Sequence, residues 1–248
     1  MEALFIGKNL LRFDELPSTN SWLIEGLSTQ LFPEGTVVFA VHQTQGKGQR
    51  GSNWDSQISN SLTFSILLKP TFLPIATMFD LSVCVALALC NCLNELRPGF
   101  KVKWPNDIYF GNKKIAGVLI ENQMNKSICQ NAVIGIGLNV NQEFFTGLPK
   151  ATSLKQIVGV HFRVENIMER ICELLEAKYL KLKSGAYNTL FKEYLGLMYW
   201  LNESHTFRSN KNEFSAVLKS VLRNGRLLLE FPDGQQRDFD IKEIEFIE

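Results

Sequence analysis

Three glycines, two cations and a tryptophan lie within the nine residues GKGQRGSNW, which follow the apolar run TVVFAVHQT. Glycines let a backbone approach a ligand closely, because they carry no side chain and adopt backbone angles that other residues avoid. Cations interleaved with backbone amides suit a phosphate group, and an aromatic ring beside them suits a base or another ring system. This loop, from Gly46 to Trp54, is therefore predicted to bind a phosphorylated ligand.

The spacing Gly46-x-Gly48-x-x-Gly51 matches the dinucleotide-binding fingerprint, but its context does not. That fingerprint requires a helix immediately afterwards and an acidic residue about twenty positions further on. Here SNWDSQISNSLTFSILLK predicts a loop and a strand, and the later LLKPTFL has no carboxylate. A Walker A loop is also absent. The structural alternative is an exposed hairpin connection, which gives Lys47 and Arg50 no role.

Two further segments place polar groups at the ends of predicted elements. The stretch LPSTNSWLIEGL puts Ser18, Thr19 and Asn20 at the start of an amphipathic helix. A simple N-cap is the alternative interpretation of these three residues. The stretch KWPND holds a proline-fixed turn, which brings Asn106 and Asp107 to the mouth of a strand.

A lysine and a glycine-broken strand follow. Lys114 begins the run KIAGVLIEN, and a lysine on the apolar side of a strand beside Gly117 is rarely a core residue, because burying an unpaired ammonium is costly. The run VIGIGLNVN loses side chains at Gly135 and Gly137, as if another group must fit there. A β-bulge is the structural alternative. Asn139 follows the second of these glycines.

The elements that must position these residues alternate between strands and helices up to about residue 194. The pattern Thr77-x-x-Asp80 predicts the capped start of a helix that continues through LSVCVALALCNCLNEL. Gly111-Asn112 predicts a hairpin turn, and residues 164–194 read as helix with an interruption at 184–185. The predicted strands are TVVFAVHQ, SLTFSILLK, KVKW, KIAGVLIEN and NAVIGIGLNVN.

The sequence pattern changes after residue 196, from helix-like segments to short strand-like ones. Five short strand-like runs, joined by RNG and PDG turns, predict a small β-barrel of about fifty residues. The predicted domains are residues 1–195, which carry the motifs above, and residues 196–248.

Composition excludes several classes of function. The net charge of +1 provides no field that attracts nucleic acid or an anionic membrane. Five cysteines without a C-x-x-C pair indicate reduced core thiols, and no Cys/His/Asp cluster has zinc-ligand spacing. The run LSVCVALALCNCL is too short and too polar at its ends to span a bilayer, and the N-terminus lacks signal-peptide features. A cytoplasmic protein that binds no nucleic acid and no membrane is expected.

Taken together, the motifs STN, HQTQGKGQRGSNW, KWPND, KKIAGVLIE and VIGIGLNVN resemble those of the biotin protein ligases, in order and spacing. The resemblance covers roughly residues 10–145 and, by position and texture, the C-terminal barrel. It implies an α+β fold, in which a mixed β-sheet flanked by helices precedes a small SH3-like β-barrel.

The resemblance also implies a two-step ligase reaction. Biotin's carboxylate attacks the α-phosphate of ATP with Mg²⁺ present, and a lysine of a biotin carboxyl carrier domain then attacks the biotinyl-AMP. Lys114, Asp107 and Lys47 would be catalytic, Gly135 would leave room for biotin, and Trp54 would be a platform for adenine. The residues expected to bind biotin are Ser18, Thr19, Asn20, Gln43, Lys47, Gly48, Gln49, Lys114, Gly117 and Gly135. Those expected to bind ATP are Gly46, Arg50, Trp54, Asn106 and Asn139.

Some alternatives stay open. Lipoate ligases and octanoyltransferases share the implied fold, but their arginine–glycine–histidine and cysteine motifs are not found here, and a non-catalytic biotin-binding protein shares the pattern. Because STN begins at Ser18, no DNA-binding domain is expected ahead of it. Gln49 and Ser52 stand where family members often carry cations, which predicts weaker retention of the adenylate. The Mg²⁺ ligands, the carrier and the choice between monomer and homodimer are left unassigned.

Overall fold

A seven-stranded mixed sheet forms the centre of the computed structural model, which describes residues 3–56 and 58–247, with Arg50 described by its backbone alone. Its spatial order is β1-β2-β3-β7-β6-β5-β4, with β1 and β2 parallel and every other neighbouring pair antiparallel. The strands are β1 (Leu10–Leu16), β2 (Val37–Gln43), β3 (Ser61–Leu68), β4 (Phe100–Lys103), β5 (Asp107–Phe110), β6 (Lys113–Asn125) and β7 (Ile128–Asn139).

Helices cover both faces of this sheet, because successive side chains of its central strands point to opposite faces and are apolar on both. In β2, Val37 and Phe39 join the main core, whereas Val38 and Ala40 face the smaller cluster beneath α1. The main core lies against α2, α4 and α5. The predicted mixed sheet flanked by helices is thus confirmed. The helices are α1 (Thr19–Gly26), α2 (Phe79–Leu96), α3 (Leu154–Val158), α4 (Val164–Lys183) and α5 (Tyr187–Gly196).

Helix α2 begins differently from the sequence-based expectation. Thr77 lies in a short 3₁₀ turn and donates its hydroxyl to the carbonyl of Pro74, so it does not cap the helix. Asp80 is fully buried and accepts a hydrogen bond from Arg223 at 3.1 Å. The predicted capping box was wrong, because the Thr77 hydroxyl bonds to Pro74 and the Asp80 carboxylate bonds to the distant Arg223.

The expectation that this stretch is too short to span a bilayer does not hold for the whole helical region. By length and composition alone, Ile75–Leu96 is long and apolar enough to cross a membrane, because helical structure extends beyond the apolar run at both ends. Most of the region is buried inside the protein, where α2 packs against α4 and α5. This burial is typical of a core helix and accounts for the apolar sequence.

The C-terminal strands form a second, antiparallel sheet with the order β11-β10-β9-β8-β12. This sheet is compatible with the predicted small barrel. Trp104 donates its indole N–H to the carbonyl of Gly225 at 2.9 Å, and Phe207 belongs to the same apolar core as α2. The core is therefore continuous across residue 196, and the domain boundary there stays a prediction. The strands are β8 (Ser204–Ser209), β9 (Asn212–Val221), β10 (Leu227–Glu230), β11 (Gln236–Phe239) and β12 (Glu245–Ile247).

Candidate active site

A cavity of about 210 Å³ lies between the start of α1, the loop after β2 and the strands β6 and β7; we call it the central cavity. Most of the predicted site residues meet there, although they come from five separate segments. Those lining it are Ser18, Thr19, Asn20, Gln43, Lys47, Gly48, Gln49, Trp54, Asn106, Asp107, Lys114, Gly117 and Gly135. Its lining also includes Ser52, Asn53, Val118, Leu119, Ile136 and Gly137.

One end of the central cavity is a network of neutral polar groups. Ser18 is the N-cap of α1 and accepts a hydrogen bond from the amide of Ser21 at 3.4 Å. Thr19 donates both its amide, at 2.7 Å, and its hydroxyl, at 3.0 Å, to the side-chain carbonyl of Gln43. The Oγ of Ser65 lies 2.7 Å from the Thr19 hydroxyl oxygen. The N-cap interpretation is thus correct for Ser18, and the residues after it form a preorganised set of donors and acceptors.

Asn20 occupies the space above Gly135. A Cβ built on Gly135 would lie 2.4 Å from Oδ1 of Asn20, a contact that side chains do not tolerate. The Asn20 amide nitrogen donates to Glu121 at 2.8 Å. Gly135 was expected to leave room for a ligand ring. The room that it leaves is filled by the Asn20 amide, which then faces the cavity.

The strand register brings Asp107 and Lys114 together. Asp107 is the first residue of β5 and pairs with Gly117 on β6. A register shift in this strand pair lies between Gly117 and Lys114, which pairs with Tyr109. The Lys114 ammonium lies 2.7 Å from Oδ1 of Asp107. The Lys114 backbone is held by hydrogen bonds to Lys150 and Thr152. The predicted catalytic pair is therefore a fixed ion pair, with both side chains partly exposed.

The glycine-rich loop closes on itself as a small hairpin. Lys47 and Asn53 form an isolated β-bridge, and a three-residue 3₁₀ turn, Gln49–Gly51, lies at the tip. A Cβ on Gly48 would lie 2.5 Å from the Ser52 hydroxyl. The loop thus needs glycine for close packing as well as for access. The predicted role of the Arg50 side chain falls outside the described part of the chain.

Trp54 forms the wall between the central cavity and a second one. A Cβ on Gly137 would lie 2.3 Å from the Trp54 indole, so this glycine makes room for the ring. A Cβ on Gly46 would lie 2.3 Å from the Trp54 carbonyl oxygen. The Lys114 ammonium lies 5.7 Å from the indole centroid, within the range of a cation–π contact. Gly46 therefore acts by positioning Trp54, whereas an adenine-platform role for the ring stays a prediction.

The second cavity, of about 480 Å³, lies under residues 143–151, and we call it the loop cavity. It shares Asn53, Trp54 and Lys114 with the central cavity. Its other lining residues are Asp55, Tyr109, Asn139, Gln142, Phe145, Thr146, Gly147, Leu148, Pro149, Lys150 and Ala151. Two adjoining cavities that meet at a lysine can hold two ligands whose reacting groups touch.

Two of the predicted nucleotide residues have protein partners. Asn106 donates its side-chain amide to the carbonyl of Val118 at 2.6 Å, which ties the KWPND turn to β6. Asn139 lines the loop cavity and donates to the carbonyl of Thr152 at 3.0 Å. Both amides therefore position backbone around the site, and contacts to a ligand at these residues stay predictions.

Sequence reasoning missed Ser65, Gln142 and the loop 143–151. Ser65 is a polar residue in a strand whose eight residues are all buried, and this misplaced polarity was the signal that could have revealed it. Gln142 lies three residues beyond Asn139 and belongs to none of the motifs. The loop EFFTGLPKA carries no charged pattern, so only the three-dimensional structure brings it to Lys114.

The cysteines and acidic residues bear on two alternative mechanisms, a cysteine nucleophile and a metal centre held by the protein. All five cysteines are buried, and burial raises the pKa of the Cys84, Cys92 and Cys172 thiols to about 12. Such thiols are poor nucleophiles at neutral pH, which disfavours an octanoyltransferase-like mechanism. Within residues 3–56 and 58–247, no group of three or more His, Cys, Asp or Glu side chains is placed to hold a metal ion.

The chain belongs to the biotin/lipoate A/B protein ligase family, whose model matches residues 12–139. It is 30% identical over 235 residues to the bifunctional ligase/repressor BirA of Bacillus subtilis, covering 92% of this chain and 71% of that protein. It is 31% identical over 177 residues to the biotin–[acetyl-CoA-carboxylase] ligase of Mycobacterium tuberculosis, covering 68% and 63% respectively.

Among solved structures, the fold is similar to that of the biotin protein ligase from Aquifex aeolicus in complex with biotin and ATP. The TM-score is 0.81 at 27% identity, over 96% of this chain and 98% of that one. The resemblance to the biotin protein ligases that the sequence motifs indicated is thus confirmed.

Proposed function

We propose that this chain is an ATP-dependent biotin protein ligase, which forms biotinyl-AMP and passes biotin to a lysine of a biotin carboxyl carrier domain. The placement of Lys114 carries the proposal, because its side chain lines both cavities and is held beside Asp107. A carboxylate in one cavity and an α-phosphate in the other would meet at this ammonium. The solved relative with biotin and ATP bound supports this pair of ligands on this fold.

Biotin would occupy the central cavity. Its ureido ring needs neutral donors and acceptors, and Ser18, Thr19, Asn20 and Gln43 present these in the lining of the cavity. Because their hydrogen bonds already fix these side chains, little reorganisation is needed when the ring binds. The valeryl carboxylate would then extend towards Lys114.

Adenylate formation would depend on fixed cations. Negative charge develops on the phosphorus centre and its oxygens during attack, and preorganised positive groups stabilise that charge. Lys114 is held by its ion pair and its backbone, and Lys47 extends from the loop hairpin into the same cavity. The chain thus needs no nucleophile of its own in this step.

Mg²⁺ would enter with the phosphates of ATP. Mg²⁺ is commonly held by one or two carboxylates together with substrate phosphates and water. Asp107 lines the central cavity and Asp55 the loop cavity, so the acids present fit such a partial ligand set. When bound, the ion would neutralise phosphate charge.

In the second step, Asp107 would accept a proton from the carrier lysine as its amine attacks the mixed anhydride. The carboxylate lies beside the reacting centre but is held by Lys114 at 2.7 Å. The amine–carbonyl bond forms, the bond to AMP breaks, and AMP leaves. A cytoplasmic location remains a prediction, and the particular carrier and the oligomeric state remain unassigned.

Transfer to a carrier lysine tests this function. Purified protein, biotin and ATP should add one biotin to an isolated biotin carboxyl carrier domain, measured as a mass increase that is absent when the target lysine is arginine. A non-catalytic biotin-binding protein would bind biotin without any mass increase. A lipoyl-type enzyme would label a lipoyl domain with lipoate or octanoate instead.

Gly137→Ala should weaken biotin binding. The new Cβ would lie 2.3 Å from the Trp54 indole, so the ring must move into or away from the cavity. Overpacking of this kind costs about 1–3 kcal/mol, and about a tenfold loss of biotin affinity is expected by titration calorimetry. Gly196→Ala is the matched control, because its Cβ would meet open space. An unchanged affinity would show that Trp54 does not border the bound biotin.

Gln49→Arg should slow the escape of biotinyl-AMP into solution. Gln49 lines the central cavity on the glycine-rich loop, and an arginine there would add a bidentate donor for the adenylate phosphate. The measurement is the dissociation rate of labelled biotinyl-AMP from each protein. Equal or faster release from the variant would mean that another group holds the phosphate.

A further inference from the structure

Trp104 begins the short connection that leads to Asp107. Only three residues separate β4 from β5, whose first residue is Asp107. At the end of this connection, Asn106 donates its side-chain amide to the carbonyl of Val118 at 2.6 Å. At its start, the buried Trp104 side chain donates its indole N–H to the carbonyl of Gly225 at 2.9 Å. The backbone that precedes Asp107 is thus held from two sides, by β6 and by the C-terminal sheet.

Gly225 belongs to the connection between β9 and β10, residues 222–226, which we call the RNG turn. The turn is tight, because Leu222 donates its amide to the carbonyl of Arg226 at 2.7 Å and accepts from the amide of Gly225 at 2.8 Å. Gly225 has a φ of +89°, and a Cβ built on it would lie 2.8 Å from the Phe79 ring. The RNG turn therefore lies directly against the start of α2, and an anchor on one of its residues also places the Gly225 carbonyl.

Arg223 is such an anchor. Its guanidinium lies 3.1 Å from Oδ2 of Asp80, whose carboxylate is fully buried at the start of α2. The Cζ atom of Arg223 also lies 4.2 Å from the centroid of the Tyr187 ring on α5, within the range of a cation–π contact. Arginine suits this place, because a planar guanidinium can pair with a carboxylate and stack on a ring. Since a buried carboxylate is costly without a partner, the ion pair holds the RNG turn against α2.

We propose that Arg223 and Trp104 are positioning residues for Asp107. Arg223 fixes the RNG turn, and the Gly225 carbonyl of that turn fixes Trp104 and, through the short connection, the start of β5. The inference rests on the proposed function, in which Asp107 accepts a proton from the carrier lysine. Trp104 and Arg223 contribute to the lining of neither cavity, so they act through Asp107 and not on a ligand. A misplacement of about 1 Å at a reacting group can lower a rate about 100-fold.

Transfer from supplied biotinyl-AMP to a biotin carboxyl carrier domain tests the proposal. Trp104→Phe keeps an aromatic ring beside Phe246 but removes the indole donor. It should lower the kcat of transfer about 10- to 100-fold, while the KM for the carrier and the affinity for biotin stay close to wild type. Its defect should shrink towards high pH, as expected for Asp107→Asn. Arg223→Met should behave in the same way.

Combination with Asp107→Asn separates positioning from a general loss of structure. Substitutions that act through one shared group give losses that do not add. In the Asp107→Asn background, Trp104→Phe and Arg223→Met should therefore each slow transfer by less than about twofold. A substitution that only loosens the fold would slow transfer equally in both backgrounds.

Arg226→Met is the matched control for Arg223→Met. Arg226 lies in the same turn, but its carboxylate partners, Asp238, Asp240 and Glu243, all lie within the C-terminal part of the chain. The same charge is lost while the anchor on α2 is kept, so transfer close to the wild-type rate is expected. Biotin affinity reports the folding of each variant.

Each outcome bears on one claim. Normal transfer by the folded variants, or a loss that is equally large in the Asp107→Asn background, overturns the positioning role. A loss in Arg226→Met as large as that in Arg223→Met overturns the role of the ion pair with Asp80. Trp104→Phe and Arg223→Met are compared with wild type separately, so the test stands where one of them does not fold. A wild type that transfers no biotin contradicts the proposed function instead.

Discussion

Lys114→Ala is expected to lower the rate of adenylate formation about 100- to 1000-fold, the usual loss when one preorganised electrostatic group is removed. The Lys114 ammonium lies at the boundary of the two cavities, where the account places the developing charge on phosphorus. Biotin affinity should change much less, because the neutral polar groups at residues 18–20 and Gln43 remain. Single-turnover formation of biotinyl-AMP measures the effect.

Lys113→Ala is the control for this experiment. Lys113 is the neighbouring residue on β6, is exposed and contributes to neither cavity lining. The same charge is lost from the chain, so a rate close to wild type is expected. Equal losses in the two variants would mean that net charge, and not the position of Lys114, controls the reaction.

Asp107→Asn should separate the two steps of the reaction. If Asp107 accepts the proton of the carrier lysine, the variant still forms biotinyl-AMP but transfers it about 100-fold or more slowly, since general-base catalysis typically contributes about 10²–10⁴ in rate. The asparagine keeps the shape of the side chain, while the ion pair with Lys114 at 2.7 Å is lost. Carrier labelling from supplied biotinyl-AMP measures the second step alone.

The proton-acceptor role of Asp107 predicts how the transfer defect of Asp107→Asn changes with pH. A free lysine amine has a pKa near 10.4, so its neutral, nucleophilic fraction increases as the pH rises. The defect of Asp107→Asn should therefore shrink towards high pH, where a base is no longer needed. Normal transfer from supplied adenylate together with failed adenylate formation would contradict the proton-acceptor role and favour a role with Mg²⁺.

Local sequence patterns predicted most of the fold because they report burial and turns directly. The alternation in β2 and the turn at Gly111, whose φ is +57°, could both be read from neighbouring residues. The capping of α2 could not, because Asp80 pairs with Arg223, 143 positions away. The packing of the C-terminal sheet against Trp104 is likewise a long-range contact without a local signature.

The same distinction applies to the candidate site. Residues within motifs, such as Lys47 and Asp107, could be proposed from the sequence because one charge stands among the loop glycines and the other follows a proline-fixed turn. The reasons for the glycines were not accessible, since Gly135 makes way for Asn20 and Gly137 for Trp54 across different segments. To propose a role for such a glycine, one must know which side chain from another segment occupies the space beside it.

Biotin-dependent exchange between labelled pyrophosphate and ATP requires both ligands and the first chemical step in one site, so it tests whether the chain forms biotinyl-AMP. We expect exchange that depends on biotin, falls about 100- to 1000-fold in Lys114→Ala, and is preserved in Lys113→Ala. Exchange that proceeds equally without biotin, or no exchange from folded protein that binds both ligands, would contradict adenylate formation in this site.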